Sequence, residues 1–247
     1  MDVWNRQQTA TVGQASAVDQ GLRSYMLKVY NYMASGLLLT AIIAYFAGTS
    51  DAFLAAMLTQ AADGRMGVSG LGYVVMFAPL AMVFFMMFRL NSMSTQSLQL
   101  TFWAYAALMG LSLFSIFLIY TQTSILRVLF ITSGTFGLLS MYGYATKRDL
   151  TSWGTFLIVG AWAMLIVSLV NMFLLKSSGL QMVMSYIGVL LALGFTAYDT
   201  QKIKEVYYQV GRSSEALARA SVLGALNLYM DFIYLFVHLM RILGDRR

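Results

Sequence analysis

Apolar residues are gathered along this chain into seven long blocks separated by short polar stretches. The blocks run over about 27–48, 71–88, 102–121, 126–145, 153–175, 180–201 and 222–243. At ~1.5 Å of rise per helical residue, each is about long enough to cross a hydrocarbon core ~30 Å thick. The pattern therefore predicts seven membrane-spanning helices. Thr49–Gly70 and Thr200–Ser221 are the longest connections, each with room for one short helix. No connection is long enough for a soluble domain, so function must lie inside the bundle or on its rims. The blocks show no usable self-similarity, which weakens an inverted-repeat transporter reading.

Composition sharpens the class. The chain is 59% hydrophobic and 11% charged, with a mean hydropathy of +0.70. A soluble domain carries ~25% charged residues, so this chain has too little polar surface to face water all round. The expected fold is an all-α integral membrane bundle of seven transmembrane helices. Cysteine is absent, which excludes disulfides, thiol chemistry and cysteine metal sites. The net charge of +6 is not a nucleic-acid signal, because the basic residues are scattered in short loops at membrane edges. Residues 1–25 are polar and have no apolar core of the kind a cleaved signal peptide needs. They read as a poorly ordered tail ahead of one membrane domain over 26–247, with the first span as its own uncleaved targeting signal.

Charge also orients the bundle. One side of the seven-span plan receives Arg6, Arg23, Lys28, Arg89, Lys147, Arg148, Lys202, Lys204, Arg212 and Arg219. The other receives Arg65, Arg127 and Lys176 before the tail. Lysine and arginine collect in cytoplasmic loops, so the N-terminus is expected inside. Seven full crossings put Arg241, Arg246 and Arg247 outside, against that trend; a last block that re-enters would avoid this. Seven spans is the preferred reading. Two pairs of small residues four apart, Ala106 with Gly110 and Ser133 with Gly137, are expected to let helices approach closely. Pro79, the only proline, falls inside the second span and is expected to kink it.

Two acids interrupt the apolar pattern, Asp199 and Asp231. An acid inside a bilayer costs ~2.5–3.5 kcal/mol on insertion scales, so it persists where it faces a bundle interior or a wet cavity. Helical offsets from Asp231 put Gly224, Asn227, Tyr234 and His238 on its face. That face is either a functional site or a hydrogen-bond seam holding the last helix in place. Asp199, near the end of its block, is by itself equally a boundary residue. Consecutive antiparallel blocks, however, let the two acids meet in the same half of the membrane. Two carboxylates close together in low dielectric cannot both ionise cheaply and titrate as a coupled unit. Such a pair shares a proton, binds a cation, or switches between the two with pH. Ca²⁺ prefers about six to eight oxygens. Two carboxylates with Asn227, Tyr198 or Thr196 supply fewer, so a Ca²⁺ site here is weak and water-assisted. Arg89 and Lys202 are candidates for a basic latch on the pair. His238, the only histidine, reads as an interface or packing residue rather than a proton relay. No zinc ligand set, nucleotide loop or serine–histidine arrangement occurs. Lys147 and Arg148 fit orientation and lipid headgroup contact.

The stretches "GFTAYDTQKIK" (194–204), "LGALNLYMDFIYLFVHLMRILG" (223–244) and "MYGYATKRDLT" (141–151) resemble the Bax inhibitor-1 family, the transmembrane Bax inhibitor motif proteins. The likeness runs from about Tyr25 to the C-terminus and points to a bacterial member. It implies a seven-helix bundle with the last helix central, and a paired-aspartate pH sensor at Asp199 and Asp231. The family's arginine latch has no clear counterpart here; Arg89 is a candidate by position. Members are described as pH-sensitive Ca²⁺ leak channels that in animals and plants suppress cell death at the endoplasmic reticulum. A bacterial branch is linked to a membrane-bound AAA protease, as substrate or modulator. The resemblance thus implies a proton-gated cation leak, chiefly for Ca²⁺, in a bacterial inner membrane with its N-terminus cytoplasmic. Its partners would be lipids, protons and Ca²⁺, with no bound cofactor. A non-catalytic regulator of membrane protein quality control is the second reading. An intramembrane aspartyl protease is the third, since it also needs two acids on adjacent helices. "AYD" resembles the first motif of such proteases. Their second acid follows Gly-x-Gly, whereas the bulky Tyr229 and Met230 precede Asp231; the chain is therefore expected not to be an enzyme.

Overall fold

The computed structural model describes residues 2–60, 66–211 and 213–247, with side chains from residue 20 onward except at 91. Arg65, Arg212 and the side chain of Arg6, which bear on the assignment of sides, lie outside the described residues. Helix α1 (Asp2–Thr49) is followed by the short α2 (Asp51–Met57) and an antiparallel pair of strands, β1 (Leu58–Gln60) and β2 (Met66–Val68). Then come α3 (Gly70–Arg89), a 3₁₀ turn at Leu90–Ser92, α4 (Thr95–Ser112), α5 (Phe114–Ile119) and α6 (Gln122–Ala145). The chain closes with α7 (Thr151–Val170), a π-helical turn at Asn171–Leu175, α8 (Ser178–Val210) and α9 (Ser214–Leu243).

Among the described residues, seven stretches are long and apolar enough to cross a membrane: Gln20–Thr49, Gly70–Arg89, Thr95–Ile119, Gln122–Ala145, Thr151–Leu175, Ser178–Val210 and Ser214–Leu243. Each overlaps one predicted block. Their starts follow from local chemistry. Ser69, Ser94, Thr121, Ser177 and Ser213 each precede a long helix, and each side chain accepts the N–H three residues on. These caps satisfy backbone donors that a helix start leaves open.

Two local expectations come out differently. The polar N-terminal segment is helical and continuous with the first span; it contains no proline to stop a helix. The supposed loop at Thr200–Ser221 is nearly all helix, because α8 runs to Val210 and α9 starts at Ser214. Gly211 makes the reversal, with φ of 72°, a region that glycine enters without a Cβ penalty. Hydropathy marks where a helix leaves lipid, not where it stops. Thr49–Gly70 holds the short helix it had room for and also the β1–β2 pair. Pro79 sits inside α3, which continues to Arg89.

Helix α9 is the axis of the bundle. Of its most apolar stretch 72% is buried, against 17–39% in the other six spans. It packs on α8, α1, α6 and α4. In lipid such packing rests on close fit and hydrogen bonds rather than on escape from water. Tyr229, fully buried, shows both: its ring meets Phe102 and Tyr105 edge-on at centroid distances of 5.8 and 5.7 Å. Its hydroxyl and that of Thr40 are 2.6 Å apart, and Thr40 donates to the Ala106 carbonyl at 2.8 Å. The Ala106–Gly110 pair packs α4 on α1 as expected, since a Cβ at Gly110 would lie 2.7 Å from the Thr40 carbonyl oxygen. Ser133–Gly137 does not behave this way: a Cβ at Gly137 would meet nothing within 4 Å.

The C-terminal tail shows how the last block runs. Arg127 at the start of α6 pairs with Asp245 at 2.7 Å and donates to the Leu243 carbonyl at 3.1 Å. The Asp245 N–H donates to Ser124 Oγ at 2.8 Å, and the Arg247 N–H to the Ile119 carbonyl at 2.9 Å. Thus α9 traverses the bundle rather than re-entering, and the tail lies at the α5–α6 end. Asp245 thus pairs with Arg127, one of the few basic residues on that side ahead of the tail. Arg148→Cys and Arg246→Cys should therefore label from opposite sides of the membrane with an impermeant thiol reagent. Labelling of both from one side would overturn the seven-crossing arrangement.

Candidate functional site

The helices α8 and α9 form the site. Two glycines let them approach, one toward each end of their seam. A Cβ at Gly188 would lie 2.5 Å from the His238 ring, and one at Gly224 would lie 3.1–3.2 Å from the Ile203 side chain. Between these contacts the carboxyls of Asp199 and Asp231 come within hydrogen-bonding reach of each other. Asp231 is 8% exposed, and its Oδ2 has no hydrogen-bond partner. Asp199 is half-buried. Two ionised carboxylates so placed repel strongly, whereas one shared proton turns the contact into a hydrogen bond.

The pair opens onto a cavity of about 570 Å³. Helix α9 supplies one wall with Asn227, Asp231, Tyr234, His238 and Arg241, and α8 adds Phe195 and Asp199. Tyr105 and Met109 of α4 and Met164, Leu165 and Ser168 of α7 also line it. Along α9 the wall runs fourteen residues, or ~21 Å. His238 is buried, stacks edge-on against Tyr234 at 4.4 Å, and has an unpartnered Nδ1. Arg241 is half-buried at the far end. Among the described residues, no three or more His, Cys, Asp or Glu side chains are grouped to hold a metal ion.

The predicted residues divide. Asn227 and Tyr234 line the cavity beside the acids. Tyr198 instead lies against Gly154 of α7, with the Lys202 ammonium 5.5 Å from its ring centroid. Thr196 is buried and donates within its own helix to the Ala192 carbonyl at 2.8 Å. Of the two latch candidates, Lys202 is the cation whose charge acts on Asp199. Arg89 is exposed at the end of α3 and does not line the cavity. His238 packs on Gly188 and also faces the cavity, so its packing role does not remove it from the site. Arg241 entered the sequence reading only as a basic residue beside the tail, although it continues the spacing of Asp231, Tyr234 and His238 by one turn. Ser168 and Tyr105 left no such signal, since other helices carry them.

A second seam holds α8 in place behind Asp199. Gly143 of α6 lies on the Ala197 backbone so closely that no side chain fits. The hydroxyls of Ser140 and Thr200 are 3.0 Å apart, and Tyr30 bonds Ser140 from α1. Gln201 accepts the Leu150 N–H and donates to the Arg148 carbonyl, both at 2.8 Å. In the same loop Asp149, outside the spans, is held below the usual carboxylate range by hydrogen bonds from Thr151. The motifs at 141–151 and 194–204 therefore form one clamp around the segment that carries Asp199.

Comparison with known proteins adds to this geometry. The model of the family described as inhibitor of apoptosis-promoting Bax1 matches residues 22–247. The chain is similar to the uncharacterized protein RP147 of Rickettsia prowazekii, 45% identical over 237 residues that cover 96% of each chain. It is also similar to the inner membrane protein YbhL of Escherichia coli, 43% identical over 228 residues, covering 92% of this chain and 94% of that protein. An uncharacterized protein of Borreliella burgdorferi is 39% identical over 223 residues, covering 90% and 92%.

Proposed function

The chain belongs to the Bax inhibitor-1 family of membrane proteins, and from that premise we propose that it is a pH-sensitive cation leak, chiefly for Ca²⁺, gated by Asp199 and Asp231. The observation that carries this reading is the meeting of the two carboxyls on the wall of one cavity. With one proton shared, α8 and α9 sit together and the inner end of the cavity is closed. Loss of that proton leaves two like charges in poor dielectric. They then separate, draw on the Lys202 ammonium, or take up a cation from the cavity. Asn227 and the two carboxylates offer Ca²⁺ fewer oxygens than a tight site needs, which suits passage rather than storage. The cavity leads away from the pair past Tyr234 and His238 toward Arg241, along the route an ion would take.

The same geometry weighs against a protease. Tyr229 is fully buried and bonded to Thr40, so the backbone ahead of Asp231 is covered by α1 and α4. The location we propose is a bacterial inner membrane with the N-terminus cytoplasmic. It draws on the name of the Escherichia coli relative and on the distribution of lysine and arginine.

Purified protein in liposomes loaded with a Ca²⁺ indicator tests the reading. Ca²⁺ influx should exceed that of protein-free vesicles and change several-fold between acid and neutral pH. Influx equal to that of empty vesicles at every pH would overturn it.

A further inference from the structure

A second large space in the bundle lies on the opposite side of α9 from the carboxyl cavity. We propose that this groove, between α1 and α6, binds one anionic phospholipid of the leaflet at the basic end of the bundle, with its phosphate at Arg23. The proposal is independent of ion conduction.

The groove has a volume of about 810 Å³. Met26, Tyr30 and Leu37 of α1 form one wall, Phe136 and Met141 of α6 the other, and Phe232 of α9 lies at its base. The α6 wall is cut back by Ser133 and Gly137. A Cβ at Gly137 would meet nothing within 4 Å, in contrast to Gly110 and Gly143, where glycine admits a neighbouring backbone. These small residues make room instead of joining helices. In a bilayer that room is apolar and open to the side, so acyl chain rather than water fills it.

Length and charge say what kind of molecule fits. From Arg23 to Leu37 the groove follows fourteen residues of α1, or ~21 Å. This is about half of the ~40–45 Å that a bilayer spans with its headgroups, hence the depth of one leaflet. The cations lie at one end only. Arg23 is exposed on the lining and has no ion pair among the described residues. Lys204 reaches the same mouth through Tyr144, donating to its carbonyl at 2.8 Å, with its ammonium 5.6 Å from the ring centroid. No acid lines the groove among the described residues. Basic pockets between spanning helices bind anionic headgroups in this manner. A partner helix fits less well, because an apolar helix would leave Arg23 without a counter-charge.

The groove touches the back of the carboxyl site. Phe232 follows Asp231, and Ser140 on the groove wall bonds Thr200, which follows Asp199. A lipid here is placed to bear on both helices of the pair.

Native mass spectrometry of the detergent-purified chain, offered equal amounts of phosphatidylglycerol and phosphatidylcholine, tests this directly. One phosphatidylglycerol should be retained, several-fold in preference to phosphatidylcholine. Arg23→Gln should remove the preference, and Gly137→Leu should remove the bound lipid while leaving the melting temperature near that of the parent. Ser133→Leu fills the same wall and serves if Gly137→Leu does not fold. Equal retention of the two lipids by the parent chain would overturn the proposal. So would full retention in the filled-groove variants, or Gly137→Cys linking two copies as a disulfide dimer.

Discussion

Replacing Asp199 and Asp231 together by asparagine should leave cation flux in liposomes without its pH response. Asparagine keeps the size and much of the hydrogen bonding of the acid but takes up no proton. Each single replacement leaves one carboxyl and abolishes the like-charge repulsion, so each should flatten the response on its own. Asp231→Asn should have the larger effect, because Asp231 is buried and central whereas Asp199 is half-buried beside Lys202. Glutamate at either position keeps the titration, lengthens the side chain, and should shift the response along the pH axis. His238→Ala is the control that the geometry demands. Its imidazole lines the same cavity but lies seven residues from Asp231, ~10 Å along the helix. Its loss should change the amplitude of flux and spare the pH response. A response that persists in the double asparagine variant and vanishes in His238→Ala would move the sensor from the carboxyl pair to the imidazole.

Tyr229→Ala should destabilise the bundle more than any of the cavity or groove substitutions. The ring is completely buried between Phe102 and Tyr105 at the crossing of α9 with α4 and α1. Large-to-small replacements of buried aromatics cost ~3–5 kcal/mol. At roughly 2–4 °C per kcal/mol for a chain of this size, melting should fall by about 6–20 °C. Tyr229→Phe separates packing from hydrogen bonding. It deletes only the hydroxyl, and Thr40 keeps its bond to the Ala106 carbonyl. Interhelical hydrogen bonds in membranes average ~0.6 kcal/mol, so the phenylalanine variant should melt within a few degrees of the parent. Equal losses for the two variants, read by thermal denaturation in detergent, would show that the hydroxyl pair and not the ring holds α9 at the centre.

How much of the molecule is legible from the chain alone depends on the range over which each feature is decided. Transfer of a helix into lipid is close to a sum over consecutive residues, so seven apolar blocks sufficed to locate seven spans. The cost of an acid in lipid is equally local, and it singled out Asp231 without any neighbour in view. The motifs around Asp199 and Asp231 carried the family. Other features depend on which face of a helix meets which neighbour, and no local sum contains that. Ala106–Gly110 and Ser133–Gly137 look alike along the chain, yet one joins helices and the other borders a groove. Arg89 was a latch candidate by position, yet it ends exposed on α3 and off the cavity, while Lys202, whose charge acts on Asp199, is that acid's neighbour one turn along α8. The far wall of the carboxyl cavity comes from α4 and α7, whose residues are more than thirty positions away from either acid. The sequence by itself determined what enters the membrane and which side chains are costly there, because both follow from each residue's own solvation. Only the tertiary structure decided which of those side chains meet, because that rests on how helices rotate and pack against one another.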